Sequence, residues 1–158
     1  MISRLARPFT AALFATVVAL AATTSPAAAL PPPSDTGFGE ARILWLMNET
    51  RRYYGLPPVQ RHAGADHIAQ YSADVQAQYR RLGHNANLGR DVSNVVTPHW
   101  WAVGENVGCG GDADHLHGLW FNSRPHVANM LGRHYDTVGI GANYSNGCLW
   151  ATVVFIDR

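Results

Sequence analysis

The first half of the chain carries apolar residues at the spacing of amphipathic helices. One helix is predicted over residues 40–54, "EARILWLMNETRRYY", and ends at "GLPP". A second is predicted over residues 65–82 and ends at "LGHN". The residues expected to face the core are Ile43, Leu44, Met47 and Tyr54 in the first helix and Ile68, Ala69, Val75, Ala77 and Tyr79 in the second.

The second half changes from a helical pattern to a strand pattern. After a polar stretch at residues 85–100, predicted to be a long loop, "WWAVGEN" favours a short strand, and "DADHLHGLWFNS" and "SRPHVANML" favour short helices. Leu116, Leu119 and Trp120 are expected on the buried face of the first of these helices. "TVGIGANY" and "CLWATVVFID" are β-rich runs joined by "SNG", which predicts a hairpin. Helices followed by a terminal antiparallel pair indicate an α+β fold.

The N-terminal residues are typical of a secretory signal peptide. Arg4 and Arg7 precede an apolar run over residues 9–22, and "SPAAA" supplies small residues for cleavage. The run is shorter than the roughly 20 residues of a membrane-spanning helix, which favours cleavage over anchoring. We therefore predict a signal peptide at residues 1–29, a flexible leader at 30–38 and one domain at 39–158. The mature protein is expected to be secreted, with no transmembrane segment.

Composition indicates which partners are unfavourable and which cellular compartment the cysteines suit. The chain has a formal net charge of +1, no lysine and no basic run, which argues against a nucleic-acid-binding surface. The two cysteines, Cys109 and Cys148, both lie in the part predicted to be exported. In an oxidising compartment such a pair favours a disulfide bond, and two buried free thiols are the alternative.

Three polar residues are candidates for chemistry: His84 in "LGHN", Glu105 in "VGENVGCGG" and His126 in "SRPHVANML". Each lies where rigid backbone can aim a side chain inward, and together they form a two-histidine, one-carboxylate set suited to a divalent metal such as zinc. No local spacing connects them, so a structural hydrogen-bonded network is the alternative. The segment "DADHLHG" combines His115 and His117 with two aspartates, but acids at a helix start are favourable without any metal.

Six stretches, in order, resemble the CAP superfamily, which groups cysteine-rich secretory proteins, insect antigen 5 and plant pathogenesis-related proteins of group 1. They are "ILWLMNETRRYYGLPPV", "LGHN", "VGENVG", "LWFNSRPHVANML", "VGIGA" and "CLWATVVF". The sequence is most similar to the secreted bacterial branch. The resemblance implies an α-β-α sandwich, in which helices cover both faces of a small antiparallel sheet.

The resemblance also implies a central cavity lined by a His, Glu, Glu, His tetrad, which holds a divalent metal in some members. His84 matches the first histidine, Glu105 the first glutamate and His126 the last histidine. Where eukaryotic members carry the second glutamate, "WFNS" has Ser123, a residue more typical of a helix N-cap. The metal set implied here is therefore His84, Glu105 and His126, and it lacks a spare acid to serve as a general base.

These features favour a secreted binding module over an enzyme. The resemblance implies a lipid, sterol or protein ligand, and the aromatic residues Trp100, Trp101 and Tyr144 could either line a groove or pack in the core. The alternative function is a zinc-dependent, protease-like hydrolase that uses the same two histidines and glutamate. No Gly-x-Ser-x-Gly nucleophile motif is present in the sequence.

Overall fold

The computed structural model describes residues 36–158. The predicted signal peptide and residues 30–35 of the predicted leader lie outside the described residues. The helices and strands follow in this chain order: α1 (Thr36–Tyr53), β1 (Gln60–Arg61), α2 (Ala63–Tyr79), α3 (Leu88–Val95), β2 (Ala102–Gly110), α4 (Ala113–Phe121), α5 (Arg124–Met130), β3 (Thr137–Ser145) and β4 (Cys148–Asp157). Within this part of the chain, no helix has the length and apolar character needed to cross a membrane.

The strands form one sheet in the order β1-β3-β4-β2. β3 and β2 flank β4 and are antiparallel to it, and β1 adds a two-residue parallel pairing to β3. Asn146 and Gly147 link β3 to β4, and their φ angles of 54° and 74° fit a two-residue turn of type I′. The predicted hairpin is confirmed, whereas the parallel β1 makes the sheet mixed rather than purely antiparallel.

Alternate residues of β4 face two separate hydrophobic clusters. Val153 and Phe155 lie in a cluster with residues of α1 and α4, and Val154 and Ile156 lie in a cluster with residues of α2 and α3. Successive side chains of a strand point to opposite faces of the sheet, so helices cover both faces. The predicted α+β class and α-β-α sandwich are therefore confirmed.

Two glycines let α2 lie directly against β3. A Cβ atom on Gly139 would lie 2.1 Å from the backbone of Ala65, and a Cβ atom on Gly141 would lie 2.2 Å from the backbone nitrogen of Gln70. The side-chain amide of Gln70 also exchanges two hydrogen bonds with the backbone of Ala142, each 3.0 Å long. The "VGIGA" stretch therefore fixes the position of α2 and of the segment that follows it.

A buried arginine connects the end of α1 to the chain that precedes β3. The Arg51 side chain is fully buried, and its guanidinium donates hydrogen bonds of 2.8–3.0 Å to the main-chain carbonyl oxygens of Pro57, Met130, Gly132 and Tyr135. A guanidinium presents five N–H donors in a rigid plane. One side chain thus satisfies carbonyl groups from two separate loops.

The structure shows a helix where a long loop was predicted. The prediction of a loop throughout residues 85–100 is wrong, because Leu88–Val95 forms α3. Val92 is the buried residue of this short helix and packs with the cluster of α2 and β4. A helix of two turns is stabilised mainly by tertiary packing, which the local sequence pattern does not reveal.

Other differences concern the ends of the predicted elements. The structure describes α1 from Thr36, four residues before the predicted start, and extends β2 to Gly110. Tyr54 lies beyond the last residue of α1, so helical spacing does not determine which way it faces. Tyr79 is the last residue of α2. The predicted core residues that are instead exposed are Tyr54, Tyr79 and Leu119.

Cys109 and Cys148 form a disulfide bond, with Cα atoms 5.7 Å apart. Cys109 lies near the end of β2 and Cys148 is the first residue of β4, so the bond connects an edge strand to the neighbouring inner strand. The predicted disulfide is confirmed, and the alternative of two free thiols is wrong.

Candidate functional site

Glu105 lies in the middle of β2 with its side chain almost completely buried, at 4% relative exposure. One carboxylate oxygen, Oε2, accepts a hydrogen bond of 2.9 Å from the main-chain N–H of Asn85 and lies 2.8 Å from Nδ1 of His84. The His84 side chain is 63% exposed. An accessible imidazole therefore contacts a buried carboxylate. The single acid among the glycines of "VGENVGCGG" supplies that carboxylate.

The end of α2 sets the position of the His84–Asn85 corner. Arg80 adopts the left-handed conformation, with φ at 49°, and the N–H groups of Arg80 and Arg81 both donate to the carbonyl oxygen of Gln76. This arrangement ends the helix and reverses the chain. Asn85 then holds the next segment, because its side chain donates to Asp91 and accepts from the N–H of Asn87.

Two asparagines hold α5, which carries His126, against β2, which carries Glu105. The Asn106 side chain donates to the carbonyl oxygen of His126, and the Asn129 side chain donates to Asn106 and to the carbonyl oxygen of Glu105. Neither asparagine was singled out by the sequence analysis. The sequence signal is proximity alone, since Asn106 follows the candidate glutamate directly and Asn129 lies three residues after the candidate histidine. Proximity does not specify contacts that depend on how α5 lies against β2.

We call the candidate residues His84, Glu105 and His126 the cluster. Two of its buried ligand-type atoms lack hydrogen-bond partners in the described part of the chain. They are Oε1 of Glu105 and Nδ1 of His126. Burial lowers the pKa of His126, and the proximity of His84 lowers it further. Both effects favour the neutral imidazole, which is the form that binds metals.

A complete metal site is not formed by side chains alone. Within residues 36–158, no three His, Cys, Asp or Glu side chains are grouped in a way that would hold a metal ion. The donor types nevertheless fit a borderline metal such as zinc, which takes imidazole and carboxylate ligands together with water. The structure brings His84 and Glu105 into contact, and the metal role of His84, Glu105 and His126 stays a prediction.

Ser123 occupies the N-cap position of α5, three residues before His126. Its hydroxyl makes no capping hydrogen bond, and the first turn is closed by the N–H of Val127 donating to the carbonyl oxygen of Ser123. The residue therefore begins the helix through its backbone. No carboxylate stands at this position to assist the two histidines.

The side chains of the second histidine-rich segment contact groups in and around α4. Asp112 is the N-cap of α4 and accepts a hydrogen bond from the N–H of His115. Asp114 forms an ion pair with Arg42, and Nε2 of His117 lies 3.0 Å from the hydroxyl of Thr50. These contacts agree with the expectation that the acids stabilise a helix start.

A groove opens between α2 and residues 81–91, with His84 in its lining. Its volume is about 830 Å³, and we call it the α2 groove. Its residues are Tyr71, Ser72, Val75, Gln76 and Tyr79 of α2 together with Arg81, Leu82, Gly83, His84, Asn85, Ala86, Asn87, Arg90 and Asp91. The aromatic residues suggested by the sequence lie elsewhere: Trp100 is half-buried against the cluster of α2 and α3, and Trp101 and Tyr144 are exposed.

The fold and the cluster together define a three-layer α-β-α domain with a buried glutamate and two histidines beside its edge strand. The sequence model of the cysteine-rich secretory protein family, CAP, matches residues 44–155. The chain therefore belongs to the CAP family, and the resemblance seen in the sequence is confirmed.

Solved structures with the same fold include proteins of two bacteria. A cysteine-rich secretory protein of Staphylococcus aureus is 20% identical with a TM-score of 0.65, and the match covers 80% of this chain and 40% of that protein. An outer surface protein of Borrelia burgdorferi is 15% identical with a TM-score of 0.71, and the match covers 80% of this chain and 98% of that one. This chain thus corresponds to less than half of the Staphylococcus protein.

NaASP2, whose crystal structure was determined with Zn²⁺, is 10% identical with a TM-score of 0.55, and the match covers 78% of this chain and 80% of that one. At these identities the likenesses establish the fold alone. No curated protein matches the sequence significantly.

Proposed function

We propose that the protein is an exported binding module, and that His84, Glu105 and His126 form its binding centre for a divalent cation such as Zn²⁺. The observation that carries the proposal is a pair of buried atoms without hydrogen-bond partners among residues 36–158, Oε1 of Glu105 and Nδ1 of His126. Buried polar atoms in folded proteins almost always have a partner. A cation with bound water would be a partner both for a carboxylate oxygen and for a neutral imidazole nitrogen.

The exposure of His84 supports binding from solvent. His84 is 63% exposed, whereas Glu105 behind it is 4% exposed. In this arrangement the carboxylate orients the accessible imidazole, as carboxylates do behind metal-binding histidines in many proteins. The bound cation would act as a Lewis acid or as a bridge to a ligand.

Export is supported by the predicted signal peptide at residues 1–29 and by the disulfide, which is typical of oxidising compartments. The solved relatives described as a secretory protein and an outer surface protein support the same location. NaASP2, whose structure was determined with Zn²⁺, supports the choice of zinc as the test cation.

Binding is favoured over hydrolysis by the hydrogen bonds of Glu105. Its Oε2 atom is already engaged with His84 and Asn85, and Ser123 offers no second carboxylate. A metal-dependent hydrolase needs a general base positioned beside the activated water. We therefore expect affinity without turnover of peptide or ester substrates.

The proposal is tested by calorimetric zinc titration of residues 30–158. We compare the unmodified protein with the His84→Ala/His126→Ala variant and with His67→Ala/His99→Ala, which removes two exposed histidines outside the cluster. The unmodified protein and the surface variant should bind zinc and melt at a higher temperature in its presence. The cluster variant should do neither. Absence of zinc binding, or equal loss in both variants, would refute the proposal.

A further inference from the structure

We propose that the α2 groove binds an acidic peptide segment in an extended conformation. The proposal rests on the role of the protein as a binding module, but its contacts lie on α2 and on residues 81–90 and do not require a cation at the His84–Glu105–His126 cluster.

Two tyrosines on one face of α2 supply the apolar contacts. Tyr71 and Tyr79 are 74% and 70% exposed, and Val75 lies between them at the same helical spacing. They stand about 12 Å apart along the helix axis, since each residue adds about 1.5 Å. An extended peptide covers that distance with about four residues. Large aromatic side chains that remain exposed beside a concavity are typical anchors for a partner.

The opposite wall of the groove carries positive charge. Arg81 and Arg90 both line it, and the Arg90 side chain is 66% exposed. Asp91 is the one acid among the lining residues. The side-chain amide of Asn85 donates a hydrogen bond to one of its carboxylate oxygens, and Nε of Arg90 lies 3.5 Å from the other. An excess of guanidinium groups favours carboxylates, which they bind with two parallel hydrogen bonds.

The floor of the groove contains a polar side chain with an unused atom. Gln76 is 3% exposed, and its Nε2 donates to the hydroxyls of Ser72 and Thr152, both at 2.9 Å. Its Oε1 has no partner among the described residues. If the side-chain amide of Gln76 were turned over so that Oε1 and Nε2 exchanged places, Nε2 would lack a partner instead. A peptide main chain lying over this residue offers both a donor and an acceptor.

The distribution of polar groups favours a peptide over a lipid. Serine, asparagine, glutamine and arginine side chains are among the residues that line the groove, and an acyl chain would cover them without forming hydrogen bonds, which is unfavourable. Surfaces built from tyrosine, serine, glycine, asparagine and arginine are typical of protein recognition. An acidic oligosaccharide presents the same charge and is included as a competing probe.

The test measures fluorescence anisotropy with three labelled peptide pools. One pool alternates Asp or Glu with Leu or Pro, the second replaces the acids by Asn and Gln, and the third replaces them by Lys. The acidic pool should bind at least about tenfold more tightly than the amide pool. The variants Arg81→Glu/Arg90→Glu and Tyr71→Ala/Tyr79→Ala should each weaken binding by at least about tenfold.

Matched controls lie outside the groove. Tyr53→Ala removes a tyrosine of α1 that is 85% exposed, and Arg133→Glu reverses an exposed charge. Both should leave the affinity unchanged. Melting curves confirm that each variant is folded, and higher salt should weaken the acidic pool selectively.

Several results would overturn the inference. They are equal affinity for the three pools, no binding up to about 1 mM protein, insensitivity to the groove variants, and groove-dependent binding of oligogalacturonate without binding of the acidic peptides. Each titration is run in zinc and in a chelator. A failed zinc titration and a failed peptide titration are therefore separate results, and each refutes only its own proposal.

Discussion

Nδ1 of His84 lies 2.8 Å from Oε2 of Glu105, although the two residues belong to different elements of the fold. His84 stands in the connection between α2 and α3, and Glu105 is in the edge strand β2. The same carboxylate oxygen accepts the N–H of Asn85. Glu105 thus has a structural role in holding this connection to the sheet, in addition to any ligand that it binds.

Replacing Glu105 by alanine should lower the free energy of unfolding by about 1–3 kcal/mol, because the N–H of Asn85 and the ring of His84 lose their acceptor. The same loss of unfolding free energy should be measured when a chelator is present, since it does not depend on a metal. Urea unfolding measures it. The control is Glu49→Ala, which removes a surface ion pair with Arg52 and should change stability by less than about 1 kcal/mol. Equal effects of the two changes would contradict the structural role.

Gly141→Ala should lower the free energy of unfolding by about 1–3 kcal/mol, because the new methyl group would lie 2.2 Å from the backbone nitrogen of Gln70. Neither backbone can move without separating α2 from β3. Gly118→Ala in α4 is the matched control, since a Cβ there has open space around it and alanine favours the helix by up to about 1 kcal/mol. Thermal melting of both variants should give shifts of opposite sign.

Arg51→Met should reduce the free energy of unfolding by more than about 3 kcal/mol, because four main-chain carbonyl groups lose their donor in a buried place. Arg52→Met changes the next residue, whose side chain is 70% exposed, and should have an effect below about 1 kcal/mol. Denaturant unfolding of the pair is the measurement. A loss of similar size in both variants would show that the carbonyl contacts of Arg51 do not stabilise the fold.

Stability should decrease as the pH falls from 7 toward 5. Burial lowers the pKa of His126 and of His117 in the folded protein, so the unfolded chain binds more protons in the range below the usual pKa of about 6.5. The folded state is therefore penalised as the pH falls through that range. His126→Gln should reduce the slope of unfolding free energy against pH, and His67→Gln, at an exposed histidine, should not. An unchanged slope in His126→Gln would contradict the assignment.

The sequence pattern predicted most helices and the terminal hairpin because their signals are local. "SNG" between two β-rich runs specifies a turn through residues that tolerate positive φ, and Asn146 and Gly147 adopt it. α3 was missed because its stability comes from packing against α2. The parallel strand β1 was missed as well, since two residues carry no detectable period.

Local sequence made His84, Glu105 and His126 candidates, and only the family resemblance favoured them as one site. His84, Glu105 and His126 have no fixed spacing, so composition and periodicity do not associate them. The supporting contacts of Asn106 and Asn129 could not be predicted, because they depend on how α5 lies against β2. Tyr79 was assigned to the core by its helical phase, yet it is 70% exposed and lines the α2 groove.

The sequence by itself determined the family, the class of fold, the order of most elements and the disulfide, because these depend on local propensity, on short motifs and on the pairing of two cysteines. Only the tertiary structure decided which polar atoms are paired and which face of α2 is exposed. Burial of Glu105 and exposure of Tyr71 both result from residues that are distant in the chain and meet when the helices pack on the sheet.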